Sequence, residues 1–149
     1  MAELDDVYNT KILELAGNIA RSQRLTAPTA TATAQSKLCG STIAVDVVVE
    51  NGVIVDYGQT VKACLLGQAA ASLVGREIAG TPLEEFHRVA ATMRAMLKDN
   101  GPAPEGKWAG LAVLAPVRDY KSRHASTLLV FDAVEKALAT IGADQRVAS

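Results

Sequence analysis

Sulfur is scarce in this sequence. Its 149 residues include two cysteines, Cys39 and Cys64, too few for the disulfide framework of a small secreted domain. None is needed, because a chain of this length with 49% hydrophobic residues buries a sufficient core without covalent staples. Two cysteines in such a chain point to metal binding, reactivity or plain burial. A charge excess of either sign is also missing. Fifteen basic residues against sixteen acidic ones give a formal net charge of -1, which removes the electrostatic case for nucleic acid or an anionic membrane as partner. No apolar run approaches the roughly 18 residues of a membrane span. The opening MAELDDVYNTK is acidic, unlike an Arg-rich transit peptide or a basic secretory segment, so a cytoplasmic location is expected. Internal repeats, low-complexity tracts and linkers are absent, and one domain over 1–149 is expected, with a loose tail from 143. No nucleophile triad, phosphate-cradling glycine loop or basic-aromatic surface is present, so an enzyme is not expected.

What the sequence does contain is concentrated between Ser36 and Gly67, SKLCGSTIAVDVVVENGVIVDYGQTVKACLLG. Asn51-Gly52 stands between β-branched runs, and a type I′ hairpin turn needs two residues that tolerate positive φ. Antiparallel strands are expected over Thr42 to Glu50 and Val53 to Ala63. A two-residue turn sets Glu50 opposite Val53 and Val48 opposite Val55, so that paired numbers sum to 103. The same register places Cys39 opposite Cys64, and directly opposed residues have Cβ atoms roughly 4.5–5.5 Å apart. A bulge at Gly58 would slip that pairing by one residue.

The remaining pattern supplies helices. Asp5 or Asp6 caps a first helix whose apolar residues Val7, Ile12, Leu15, Ala16 and Ile19 recur at helical spacing. TATATA over Thr29 to Ala34 reads as a third, weaker strand. After Cys64, LLGQAAASLVGREIAG suggests a helix packed close to its neighbours through Gly and Ala. Cys64 then stands at a helix N-terminus, where unpaired N–H groups and the helix dipole favour a thiolate. Thr81-Pro82-Leu83-Glu84 is a helix-start signal, followed by a stripe of Phe86, Val89, Ala90, Met93, Met96 and Leu97 that ends at Asn100-Gly101-Pro102. Trp108 to Leu114 reads as a short helix. A last helix starts near Ser122 and puts His124 in its first turn. The fold class is α+β: a small three-stranded antiparallel sheet covered on one face by helices, with one helix N-terminal to it and one at the C-terminal end.

Most single candidates have an ordinary reading. A lone cysteine is commonly a small buried hydrophobe, Met93 and Met96 suit the core stripe, and His87 between Glu85 and Arg88 looks solvated. Asp46 and Asp119 lack an evident acidic partner. The pairing of Cys39 with Cys64 is what raises a two-thiol site above the background, with His124 as a possible third group.

SKLCGSTIAVDVVVENGVIVDYGQTVKACLLGQAAASLV resembles the U-type iron–sulfur cluster scaffold family, which includes the N-terminal domain of NifU and the scaffolds of the Isc and Suf systems. The family carries a Cys-Gly motif before a hairpin, a second cysteine about 25 residues later ahead of a small-residue helix, and a third cysteine at the start of a late helix. Tyr8 to Asn18 resembles the family's first helix and Ser122 to Ala139 its last. The resemblance implies a scaffold that binds iron, a labile [2Fe–2S] cluster or zinc through Cys39 and Cys64, with His124 assisting. It also implies a cysteine desulfurase and iron–sulfur acceptor proteins as partners, and allows a homodimer. Leu114-Ala115-Pro116-Val117-Arg118 is similar to the segment that Isc scaffolds present to an Hsp70-type chaperone.

The departures are specific. Ser41 stands where the family has aspartate. The third cysteine is replaced by Ala125 in an Isc-type alignment, with His124 in the histidine position, or by Ser126 in a Suf-type alignment. A [2Fe–2S] cluster or tetrahedral zinc takes protein ligands four at a time, and this chain offers three. The fourth is open among Asp119, Ser41, water, glutathione and a neighbouring subunit. The missing thiol is also the one at which family members commonly accept persulfide sulfur. Two other functions keep the fold without the cluster: a binding module that regulates a desulfurase or chaperone, and a dithiol redox protein cycling between Cys39 and Cys64.

Overall fold

A computed structural model describes residues 9–37 and 40–141. Asn51 and Gly52 both take positive φ, 52° and 76°, and join β2 (Thr42–Glu50) to β3 (Val53–Lys62) as an antiparallel hairpin. β1 (Ala30–Gln35) pairs with β2, and a fourth strand of two residues, β4 (Thr81–Pro82), pairs with the start of β3. The sheet therefore has four strands in the order β1-β2-β3-β4. β4 was expected to be a helix start. Its backbone is instead held by Ile54 and Val53 in the ladder, while Thr81 Oγ1 donates to the Glu77 carbonyl, so that Pro82 becomes the cap.

The hairpin register follows the expectation only near the turn, where Glu50 faces Val53. An irregularity between Val48 and Val49 then shifts it, so that Val48 faces Asp56 rather than Val55, and Asp46 faces Gly58. The bulge thus falls at Val55, which is 40% exposed, and Gly58 lies in the regular ladder. Gly58 is required for another reason: a Cβ there would stand 2.1 Å from the carbonyl oxygen of Gln23. The ladder ends at Thr42 opposite Lys62. The expected apposition of Cys39 and Cys64 falls outside the described residues.

The inner face of the sheet presents Ile43, Val45, Val47, Val49, Ile54 and Tyr57, all buried. Among the described residues, four helices complete the core: α1 (Thr10–Gly17), α2 (Leu65–Glu77), α3 (Leu83–Lys98) and α4 (His124–Ala139). α4 lies across β1 and β2, and α2 packs on β3, α1 and α4. Asn9 caps α1, accepting from the Ile12 N–H at 3.0 Å. The expected caps Asp5 and Asp6 lie outside the described residues, as does the tail from 142. The predicted stripe on α3 is buried along its whole length, and Phe86 joins Phe131 and Trp108 at ring separations of 5.9 and 6.0 Å. Between α3 and α4 the chain runs through 3-10 turns over Gly106–Asp119 and Lys121–Arg123, in place of the single short helix expected from Trp108. Among the described residues, no helix is long and apolar enough to cross a membrane.

On the opposite face of the sheet the connector from α1 to β1 is fastened over Asp46 and Gly58. Arg24 grips the Asp46 carboxylate with Nε at 2.6 Å and a terminal nitrogen at 2.8 Å, and the Leu25 N–H donates to it at 3.0 Å. Arg21 adds an ion pair to Asp56 at 2.9 Å. Asp46, which has no evident partner in the sequence, is thus paired and only 2% exposed.

Candidate functional site

Cys64 follows β3 after Ala63 and is the N-cap of α2, in extended backbone at φ -66° and ψ 171°. An N-cap residue is non-helical while the first turn's N–H groups point towards it, and the half-buried thiol is free. Two hydroxyls meet it. Ser126 Oγ, on the first turn of α4, lies 3.2 Å from Cys64 Sγ; Ser41 Oγ, just before β2, accepts from the Cys64 backbone N–H at 3.4 Å. Ser41 and Ser126 are each 4% exposed. The Ser126 hydroxyl donates to the Arg123 carbonyl at 3.2 Å, which leaves its oxygen lone pairs facing the sulfur.

The approach of α2 to α4 is what makes this contact possible. Gly67 sits at the crossing, where a Cβ would lie 2.8 Å from the Ala63 methyl and 3.1 Å from the Ser126 carbonyl oxygen. Gly and Ala after Cys64 are therefore the local reason that residues 62 positions apart in sequence touch.

His124 is directed elsewhere. It is the first residue of α4, and residues two apart on a helix diverge by about 200°. Ser126 turns to Cys64 while His124 turns to the preceding 3-10 segment. Its Nε2 lies 3.0 Å from the Val117 carbonyl and 3.2 Å from that of Arg118, so that nitrogen carries the proton and donates. The ring is 7% exposed, and Nδ1 alone is left for any further role. Of the two replacements for the third cysteine, Ala125 is exposed and Ser126 is the one at the sulfur. Cys39 lies outside the described residues. Among the described residues, no three of His, Cys, Asp and Glu gather closely enough to hold a metal ion.

Leu114-Ala115-Pro116-Val117-Arg118 is folded in. Leu114 and Val117 are buried, and Arg118 donates to the Ala115 and Gly101 carbonyls. His87, which looked solvated, is half-exposed and paired with Glu135 at 2.6 Å.

Among the described residues, an antiparallel sheet under four helices, with a thiol at the N-cap of a small-residue helix facing the start of the last helix, defines a scaffold domain of the U type. No family model matches the sequence. A crystal structure of the N-terminal part of a nitrogen-fixing NifU-like protein from Brucella abortus is 50% identical, superposes with a TM-score of 0.91, and covers 93% of this chain and 96% of its own. The chain belongs to this NifU-like, U-type iron–sulfur cluster scaffold family. The iron–sulfur cluster assembly scaffold protein IscU of Thermotoga maritima is 25% identical over 135 residues, which is 91% of this chain and 94% of that protein. The structure of a putative iron–sulfur cluster assembly scaffold for the Suf system of Fervidobacterium islandicum has the same fold at 17% identity, with a TM-score of 0.83 over 91% of this chain.

Proposed function

We propose that this chain is a carrier in iron–sulfur cluster assembly that takes iron or a labile [2Fe–2S] cluster as cargo on Cys39 and Cys64, with zinc as an alternative occupant. The observation that carries the reading is Cys64 at the N-cap of α2, with a family-position side chain, Ser126, 3.2 Å from its sulfur. As a member of a scaffold family the chain is not an enzyme. His124, whose Nε2 donates to two carbonyls, has Nδ1 as the nitrogen with which it would assist.

The serines define how this carrier differs. A persulfide forms here when a thiolate attacks the outer sulfur of a donor's persulfide, breaking the donor's S–S bond and releasing its thiolate, and the hydroxyls of Ser41 and Ser126 cannot take that part. Sulfur from a desulfurase therefore arrives on Cys39 or Cys64. With two protein sulfurs for a cargo that takes four ligands, the site holds its cargo loosely and releases it to acceptor proteins.

Anaerobic reconstitution of wild type, Cys39→Ala, Cys64→Ala and the double variant, read by iron and sulfide content and the visible spectrum, tests the reading. Loss of bound iron in the double variant is expected; unchanged iron overturns it. Ser126 in place of a third thiol favours one second reading, a cluster-free module that engages a desulfurase. Desulfurase pull-down that is indifferent to both cysteines, together with no bound metal, would select it.

A further inference from the structure

At the end of α2 remote from Cys64, a cleft of about 130 Å³ opens where α1, α2 and the 3-10 segment over Gly106–Asp119 come together. Its floor is apolar, formed by Leu73, Trp108 and Leu111, all buried. Its rim is cationic. Lys11 comes from α1, Arg76 from the last turn of α2 and Lys107 from the 3-10 segment, and all three are exposed. Among the described residues Glu77 is the one acid in the lining, and Glu14, three residues along α1 from Lys11, lines the adjoining hollow. The ion pairs of the described residues are those of Arg21, Arg24, His87 and Arg94, and none of the three rim cations takes part in them. Lys107 instead stands 5.5 Å over the centroid of the Trp108 ring. The indole N–H is already given to Glu85 at 3.0 Å, so the ring brings surface to the cleft and no donor.

Cations gathered at one opening from three separate elements repel one another, and an anion set among them relieves the repulsion. The size of the opening decides what kind of anion. Sites for free small molecules run to roughly 300–1,000 Å³, whereas this cleft has room for one side chain. An apolar side chain seated on Leu73, Trp108 and Leu111, with carboxylates on either side of it, meets floor and rim together. From this complementarity of charge and size we infer that the cleft docks an acidic segment of a partner protein. One apolar side chain is inserted as the anchor, and flanking Asp or Glu carboxylates rest on Lys11, Arg76 and Lys107. At 1.5 Å per residue, Arg76 lies about 18 Å along α2 from Cys64, so a partner held here leaves the thiol open. The interface is separate from the thiol and does not depend on what the thiol carries.

The chain's one tryptophan forms part of the cleft floor, so its fluorescence reports occupancy directly. The test titrates the full chain with a terminally blocked peptide Asp-Glu-Leu-Glu-Asp, with its amide counterpart Asn-Gln-Leu-Gln-Asn, with a form carrying glycine for leucine, and with citrate. The acidic peptide changes Trp108 emission to saturation, and its binding weakens as added salt shortens the Debye length. The amide peptide does not bind, and loss of the leucine weakens binding by about tenfold or more. Lys11→Glu and Arg76→Gln, with folding checked by circular dichroism, each weaken the acidic peptide by about fivefold, the order expected of one contact between unit charges in water. Gly110→Leu fills the opening from its edge, where a Cβ meets only Leu73 Cδ2 at 3.5 Å, and abolishes binding. The Cys39→Ala/Cys64→Ala double variant binds the peptide as wild type does. Citrate or the leucine-free peptide binding as tightly as the acidic peptide reduces the cleft to a patch of cations and overturns the inference, as does binding indifferent to Gly110→Leu.

Discussion

Ser126 is the residue on which the chemistry of this molecule turns. It has the position and burial of a ligand and the wrong atom, an oxygen 3.2 Å from Cys64 Sγ where thiolate would bind soft metals more tightly. Ser126→Cys is expected to raise zinc affinity by about tenfold or more, measured by competition with a chromophoric chelator; an unchanged affinity would remove Ser126 from the metal's surroundings. A second residue-scale consequence concerns Asp46. Hydrogen bonds from Arg24 hold its carboxyl down at about 2, against an ordinary unfolded value near 4. A carboxylate depressed in the folded state stabilises the fold fully above the unfolded pKa, and that contribution is lost as pH falls from about 4 towards 2. Because Arg24 is 46% exposed, solvent screening discounts the pair to about 1–2 kcal/mol. Asp46→Asn should therefore lower urea stability at neutral pH and flatten the acid limb of the stability profile. A variant with the same acid limb as wild type would show that the pair contributes nothing.

At the scale of elements, glycines decide how close the pieces come. Gly58→Ala drives a methyl to 2.1 Å from the Gln23 carbonyl, so the connector must lift from the sheet, and a loss of about 2–3 kcal/mol is expected by urea unfolding. Gly67→Ala separates α2 from α4 and with them Cys64 from Ser126, so it should lower metal retention as well as stability; a loss of stability alone would uncouple the helix crossing from the thiol. Much of this architecture was legible in the sequence. Asn51-Gly52 announces the hairpin because few other pairs accept its dihedrals, and the α3 stripe is clear because every third or fourth residue repeats it. What stayed hidden depends on distant partners. The bulge at Val55 has no local signature, and Thr81-Pro82 carries helix-start chemistry yet is claimed by the edge of β3. Arg24 and Asp46 find each other across 22 residues. The thiol at the start of α2 was readable from Cys64 and the small residues after it. The direction of His124 was not, because it is set by the Val117 and Arg118 carbonyls of the preceding 3-10 segment, which has no local signature.

For the molecule as a whole, the site is a clasp between parts that are far apart in the chain. Its described residues come from the approach to β2, the junction of β3 with α2, and the first turn of α4, so an occupant that bridges them binds the folded state and not the unfolded one. Such a ligand stabilises by mass action, about 2.7 kcal/mol at a concentration one hundred times its Kd. In a domain of this size each kcal/mol moves the midpoint by about 2–4 °C. Zinc or iron(II) added anaerobically to that excess should thus raise the thermal midpoint of wild type by about 5–10 °C, and the rise should vanish in Cys39→Ala/Cys64→Ala. Thermal scans of both proteins with and without metal make the comparison. An equal rise in the cysteine-free variant would place the metal on other side chains and leave the thiols without a role in holding cargo. A rise confined to wild type would mean that loading the carrier tightens the whole domain, and that the acceptor which removes the cargo works against the stability of the fold.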